Sequence, residues 1–209
     1  MSGAFAHVKR VAIIGGGVAG LNTARALAAR GLQCTIYEAR EDTGGVWRSN
    51  YAGFGVQVPK NLYEFLDFPM RSLSDWAFPT GAQVQAYIKD FERAHVAGKA
   101  RVRLGARVSA LAPRSSGARG WDVTTAAGDT EAYDFAVVAT GGYSAPMVPA
   151  LPGADAFAGT VQHSTAFTDA AAVKGKHVVV LGGAKSALDC AVAAAQAGAA
   201  STTLVSRVR

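Results

Sequence analysis

Cysteine is scarce in this chain: Cys34 and Cys190 are the only two among 209 residues. No Cys-x-x-Cys pair exists, so neither a dithiol redox centre nor a zinc site is indicated. Cys34 falls in the strand-like run Gln33–Tyr37 and Cys190 in an alanine-rich helical stretch. Both read as buried thiols acting as small hydrophobes. Charge is also sparse, at 17%, against 50% apolar residues, which suits a packed globular chain and excludes a disordered one. No apolar run approaches a membrane span. A strand expected from Val8 leaves no room for a cleaved leader, so the expectation is a cytoplasmic protein.

What is present is a repeated α/β pattern. Residues 8–14 read as a strand buried on both faces of a parallel sheet. Residues 18–30 follow with Leu21, Ala24, Leu27 and Ala28 at helical spacing, and Gly31 stands where a C-cap is wanted. Leu32–Tyr37 is a second strand, which completes a βαβ unit. A helix is expected from Thr80 to Ala97, opened by a Thr80/Gln83 capping box, with Val84, Tyr87, Ile88 and Phe91 on its apolar face. Residues 101–111 and 121–139 read as strands of an antiparallel meander, turning at Ser115–Gly120 and Ala127–Asp129, with Tyr133–Ala139 returning to the parallel sheet. Pro146, Pro149 and Pro152 mark an extended connection. The pattern then restarts as strand 177–181, helix 185–197 and strand 202–206. One βαβ unit of about 35 residues cannot bury both faces of its strands, and a third strand with flanking helices would normally complete it. The sequence therefore reads as truncated.

Two glycine turns carry the chemistry. In Val11-Ala-Ile-Ile-Gly15-Gly-Gly17-Val-Ala-Gly20, Gly15 permits the bend after the strand, Gly17 lets amides approach a pyrophosphate, and Gly20 lets helix pack on strand. The pyrophosphate would sit at the positive end of the helix starting near Val18. Glu38 follows about 20 residues on, where a carboxylate suits a free ribose 2′-hydroxyl. A 2′-phosphate about 4 Å from it would cost roughly 4 kcal/mol at an effective dielectric near 20, so this seat should take FAD or NAD and reject NADP. In the second turn Gly182, Gly183 and Ala184 precede Lys185 and Ser186, whose ammonium and hydroxyl can meet phosphate. Arg207 ends the next strand and suits a 2′-phosphate. The net charge of +6 comes with scattered arginines (Arg93, Arg101, Arg103, Arg107, Arg114, Arg119) and no basic helix. That argues against nucleic acid and for a surface that mildly attracts an anionic dinucleotide.

Between the turns lie Gly44-Gly45-Val46-Trp47 and Phe157-Ala-Gly159-Thr-Val-Gln-His163-Ser-Thr-Ala-Phe167. By themselves the first reads more readily as a turn with a core tryptophan, and the second as a loop with an ordinary aromatic and a satisfied histidine. Together with the glycine turns they carry a resemblance. Phe157, Gly159, His163 and Phe167 fit the F-x-G-x-x-x-H-x-x-x-(F/Y/W) pattern of flavin-containing monooxygenases, the group that includes Baeyer–Villiger and N-hydroxylating relatives. Gly44–Trp47 is similar to their G-G-x-W, Asp67-Phe68-Pro69 to a recurrent D-F-P, and Ala139-Thr140-Gly141 to an A-T-G near the flavin. The chain resembles the N-terminal half of such a protein.

The resemblance implies a Rossmann-like, three-layer FAD domain with a meander crossover (1–150), a linker bearing the pattern around His163 (151–174), and the start of a Rossmann-like NADP domain (175–209). It implies cofactors FAD and NADPH, with O2 and a nucleophilic small molecule as co-substrates. In the family NADPH reduces FAD, and a flavin C4a-hydroperoxide delivers one oxygen atom, which fits the lack of any acid–base dyad here. By resemblance the FAD set is Gly15, Gly17, Val18, Ala19, Gly20, Glu38, Ala39, Arg40, Gly45, Val46, Trp47, Val108, Thr140 and Gly141. The NADP set is His163, Gly183, Lys185, Ser186 and Arg207. Gln57 stands where family members often have an asparagine that steadies the hydroperoxide or NADP⁺, and the resemblance leaves open whether it substitutes there or favours uncoupled oxidase behaviour. Phe167-Thr168 departs from the tryptophan-led pair of Baeyer–Villiger members, which tilts the expected substrate toward nitrogen or sulfur. Turnover by this chain alone is expected to be weak, and unpaired strands in the second unit could drive self-association. Another two-dinucleotide oxidoreductase and a non-catalytic FAD-binding module are the alternatives.

Overall fold

The computed structural model describes residues 7–115 and 117–207. The chain divides into two compact units, 1–48 with 85–144, and 49–84 with 145–209. Residues 49–84, expected within the FAD domain, thus group with the second unit.

The first unit is built on a parallel sheet of β1 (Arg10–Ile14), β2 (Gln33–Tyr37), β3 (Arg101–Arg103) and β7 (Phe135–Val138), in the order β3-β2-β1-β7. Two expectations need correction. The first strand begins at Arg10, because Lys9 and Arg10 are charged and Arg10 is exposed, while Val11–Ile14 are buried. The stretch 101–111 is not one strand: β3 pairs in parallel with β2. The meander begins only at β4 (Val108–Pro113) and continues through β5 (Trp121–Thr125) and β6 (Thr130–Tyr133). Gly105, at φ +63°, lies between β3 and β4, a backbone conformation that breaks a continuous strand. The expected turn at Ser115–Gly120 includes Ser116, which lies outside the described residues.

Three layers follow from strand alternation. Ala12 and Ile14 of β1 join Tyr37, Val123 and Tyr133 in one buried cluster, onto which Val108 and Leu111 of the meander pack. Ile13 faces the other way, towards α1 (Val18–Ala28), at Gly20. The expected helix from Thr80 forms as α2 (Gly81–His95), and its capping box is present: Gln83 N–H donates to Thr80 Oγ1 at 3.3 Å and Thr80 N–H to Gln83 Oε1 at 2.9 Å.

In the second unit β8 (His177–Leu181), α3 (Lys185–Gln196) and β9 (Ser201–Val205) make one parallel βαβ. Phe167, Cys190, Ala193 and Ala194 form its buried cluster, with Tyr51 and Ala52 packed against it. Ala52 N–H donates to Phe167 O at 2.7 Å, which ties the 49–84 segment to this unit. Among the described residues no helix is long and apolar enough to cross a membrane.

Candidate functional site: two glycine turns at strand ends

The first turn sits at the C-terminal end of β1, and backbone geometry accounts for each glycine. Gly15 has φ +112°, and a Cβ there would lie 2.4 Å from the Ala139 carbonyl oxygen. A Cβ on Gly20 would lie 1.9 Å from the Gly15 carbonyl oxygen. Gly17 is the N-cap of α1, whose first turn has no side-chain cap and no acidic residue. The amides of Val18, Ala19 and Gly20 are first-turn donors without i−4 acceptors, the arrangement that receives an anion.

A second segment closes on this turn. Gly44 N–H donates to Gly16 O at 2.9 Å, and the Cβ position of Gly45 is 3.3 Å from Gly17 Cα. The Gly45–Trp47 stretch is a 3-10 turn, in which Trp47 N–H donates to Gly44 O at 3.2 Å. Thr43 is fully buried; its hydroxyl donates to Glu92 Oε2 at 2.6 Å and accepts from Lys89 Nζ at 2.9 Å. Gln85 Nε2 donates to Thr43 O at 2.9 Å, and a Cβ on Gly44 would meet Gln85 Oε1 at 2.0 Å. Sequence reading missed Thr43 and Gln85. Gln85 lies beside the apolar stripe of α2, and no local pattern marks its partner 42 positions away.

Glu38 is 7% exposed. Its Oε2 accepts from Gly16 N–H at 2.7 Å and its Oε1 from Arg40 N–H at 2.9 Å. Each carboxylate oxygen keeps a lone pair, enough for ribose hydroxyls. Arg40 also donates from Nη1 to Gly45 O at 3.0 Å, joining the strand end, through Ala39, to the second glycine pair. The Ala139-Thr140 backbone lies against Gly15, and Gly141 follows at φ +77°. The Val108 side chain packs against the meander cluster.

The second turn is similar but differently occupied. Gly182 N–H donates to Val205 O at 2.8 Å, and a Cβ on Gly183 would touch Ser206 Cβ at 3.0 Å. Arg207, next in the chain, is exposed at that strand end. Ala184 caps α3 without a side-chain hydrogen bond, and half-buried Ser186 lies in the first turn. Lys185, the first residue of α3, is paired with Asp189. His163 Nδ1 accepts from Thr165 N–H at 3.3 Å and meets Thr165 Oγ1 at 2.9 Å, capping a 3-10 turn. Gly159 lies under the Phe157 ring, which a Cβ would meet at 2.5 Å. Gln57 is exposed, in the 49–84 segment.

The flavin-binding monooxygenase-like family model matches residues 8–208. The chain belongs to this family. Senecionine N-oxygenase from Tyria jacobaeae is 31% identical over 86% of this chain and 43% of its own length. A Baeyer–Villiger monooxygenase from Streptomyces coelicolor is 34% identical over 87% of the chain and 34% of its own. Among solved structures, OTEMO in complex with FAD and NADP superposes with a TM-score of 0.78 at 26% identity, over 96% of this chain and 39% of that one. The chain thus spans less than half the length of these relatives.

Proposed function

We propose that the first turn of this family member seats FAD, that the second is the opening part of an NADPH seat, and that both serve a monooxygenase acting on a nitrogen- or sulfur-containing small molecule. The single observation that carries the reading is the buried Glu38 carboxylate, held by the Gly16 and Arg40 amides at the mouth of an uncapped helix. A pyrophosphate would meet the first-turn amides of α1, and Gly15 and Gly20, whose Cβ atoms would meet the Ala139 and Gly15 carbonyl oxygens, let strand, helix and the Ala139 backbone pack closely at that turn.

Glu38 would accept from the ribose hydroxyls of FAD and, by charge, reject a 2′-phosphate. Gly44 and Gly45 would wall the pyrophosphate, with Val46 and Trp47 continuing that wall and Thr140-Gly141 bordering it from β7. In the second seat Gly183 and Ser186 would face the NADPH pyrophosphate and Arg207 its 2′-phosphate. His163, its Nδ1 committed to Thr165, would keep Nε2 as its outward polar atom for NADPH. Bound flavin supplies the redox chemistry that takes electrons from NADPH and activates O2. The protein's part is to orient the two dinucleotides and exclude water. The preference for nitrogen or sulfur rests on Phe167-Thr168 and accords with the N-oxygenase likeness.

The test is spectroscopic. The purified chain, supplied with FAD, should show bound-flavin absorbance that bleaches on anaerobic addition of NADPH and returns on admitting air. Failure to bind FAD overturns the reading; flavin that NADPH does not bleach leaves an FAD-binding module without the oxygenase role.

A further inference from the structure

A carboxylate oxygen in the second unit serves two donors. Asp189 Oδ2 accepts from the Tyr51 hydroxyl at 3.0 Å and from the Lys185 ammonium. Lys185 opens α3, Asp189 follows one helical turn later, and Tyr51 arrives from the 49–84 segment. The ion-paired side chains are 26% and 19% exposed, so solvent and salt screen this pair less than a surface one. Burial, followed by the Asp189 carboxylate, pushes the Tyr51 phenol well above its ordinary range, and the hydroxyl remains a neutral donor. Its place is fixed by neighbours: Ala52 N–H is bonded to Phe167 O, and the Cβ position of Gly53 lies 3.2 Å from Ala193 Cβ.

We propose that Asp189 and Tyr51 are positioning residues that set how tightly the α3 turn holds an anionic dinucleotide, by controlling the Lys185 ammonium. This rests on the reading of that turn as an NADP seat. An ammonium at a helix start is a strong partner for phosphate, but its charge is cancelled while Asp189 holds it. A bound phosphate must draw Lys185 away from Asp189 or share it. Tyr51 donates to the same oxygen, competes with Lys185 for it, and keeps it partnered when the ammonium leaves.

Substitutions of the two partners therefore act with opposite signs. Asp189→Asn removes the competing charge and tightens NADP⁺ binding about tenfold, a typical scale for one part-buried charge contact. Tyr51→Phe leaves Asp189 to Lys185 alone and weakens NADP⁺ binding about threefold, the scale of one neutral hydrogen bond. A merely structural role would weaken both variants together.

Two measurements on the whole chain test this. Acylation of individual lysines, followed by mass spectrometry, should find Lys185 about tenfold slower than the exposed Lys174 and Lys176, with Asp189→Asn removing most of that protection. Calorimetric titration with NADP⁺ then gives the two affinity shifts. Wild-type Lys185 reacting as fast as Lys174, or both variants shifting affinity in one direction, overturns the control by Asp189 and Tyr51. Protected and releasable Lys185 with no NADP⁺ binding in any form overturns the assignment of the seat, and the proposed control with it.

Discussion

At the scale of single residues, space decides where the first turn must have glycine. Gly20 cannot carry a side chain, since its Cβ would stand 1.9 Å from the Gly15 carbonyl oxygen and α1 would have to move off the strand. Gly20→Ala is expected to cost about 3 kcal/mol or more, read as a lower urea midpoint at an unchanged slope. Glu38 is different, because its amide partners lie in loops and not in the sheet. Glu38→Ala should leave the fold assembled but release FAD, lowering the flavin-to-protein ratio after gel filtration. Retention of full flavin would remove Glu38 from the seat. The sequence made Gly15, Gly20 and Glu38 legible because their roles depend on fixed local spacing. It left Thr43, Gln85 and Asp189 hidden, because each acts through a partner that only the tertiary fold supplies.

At the scale of elements, strand β1 is held at its start by the chain that leads into β7. Asp134 Oδ2 accepts from the Lys9 and Arg10 amides, each at 2.8 Å. The Arg10 amide, then the Lys9 amide, lowers the Asp134 carboxyl below its ordinary 3.8. A depressed carboxyl stabilises the fold above its unfolded pKa, and that contribution fades as pH falls through the folded value. Asp134→Ala should therefore cost about 1 kcal/mol at neutral pH, allowing for partial solvent screening. The gap between variant and wild type should narrow in urea titrations run below pH 3.8. Element type is readable from periodicity for α1, α2, β8 and α3. The departure at 101–111 arises because three residues of β3 are too few to show a period, and their pairing with β2 is a long-range fact. Lys185 opens α3 as expected; its i, i+4 carboxylate is visible in the sequence, but the ion pair the two form in the fold is not.

At the scale of the molecule, the net charge of +6 sets a field that favours an anionic ligand. NADP⁺ affinity is expected to fall several-fold as ionic strength rises from about 0.02 to 0.3 M, where the screening length shortens from roughly 20 Å to under 10 Å. Arg207→Ala should reduce both that salt dependence and any preference for NADP⁺ over NAD⁺; an unchanged preference would remove Arg207 from the seat. The apposition of Gly45 on Gly17 also has a kinetic meaning. A peptide ending at Glu38 would contain the whole first glycine turn and its acidic partner, yet lack the Gly44-Gly45 stretch that closes on that turn. With the seat as proposed, flavin capture would wait until that later stretch has docked, and during refolding the quenching of free flavin fluorescence should trail the appearance of helix. In this protein the ligand would act as a clock for the last step of its own pocket's assembly.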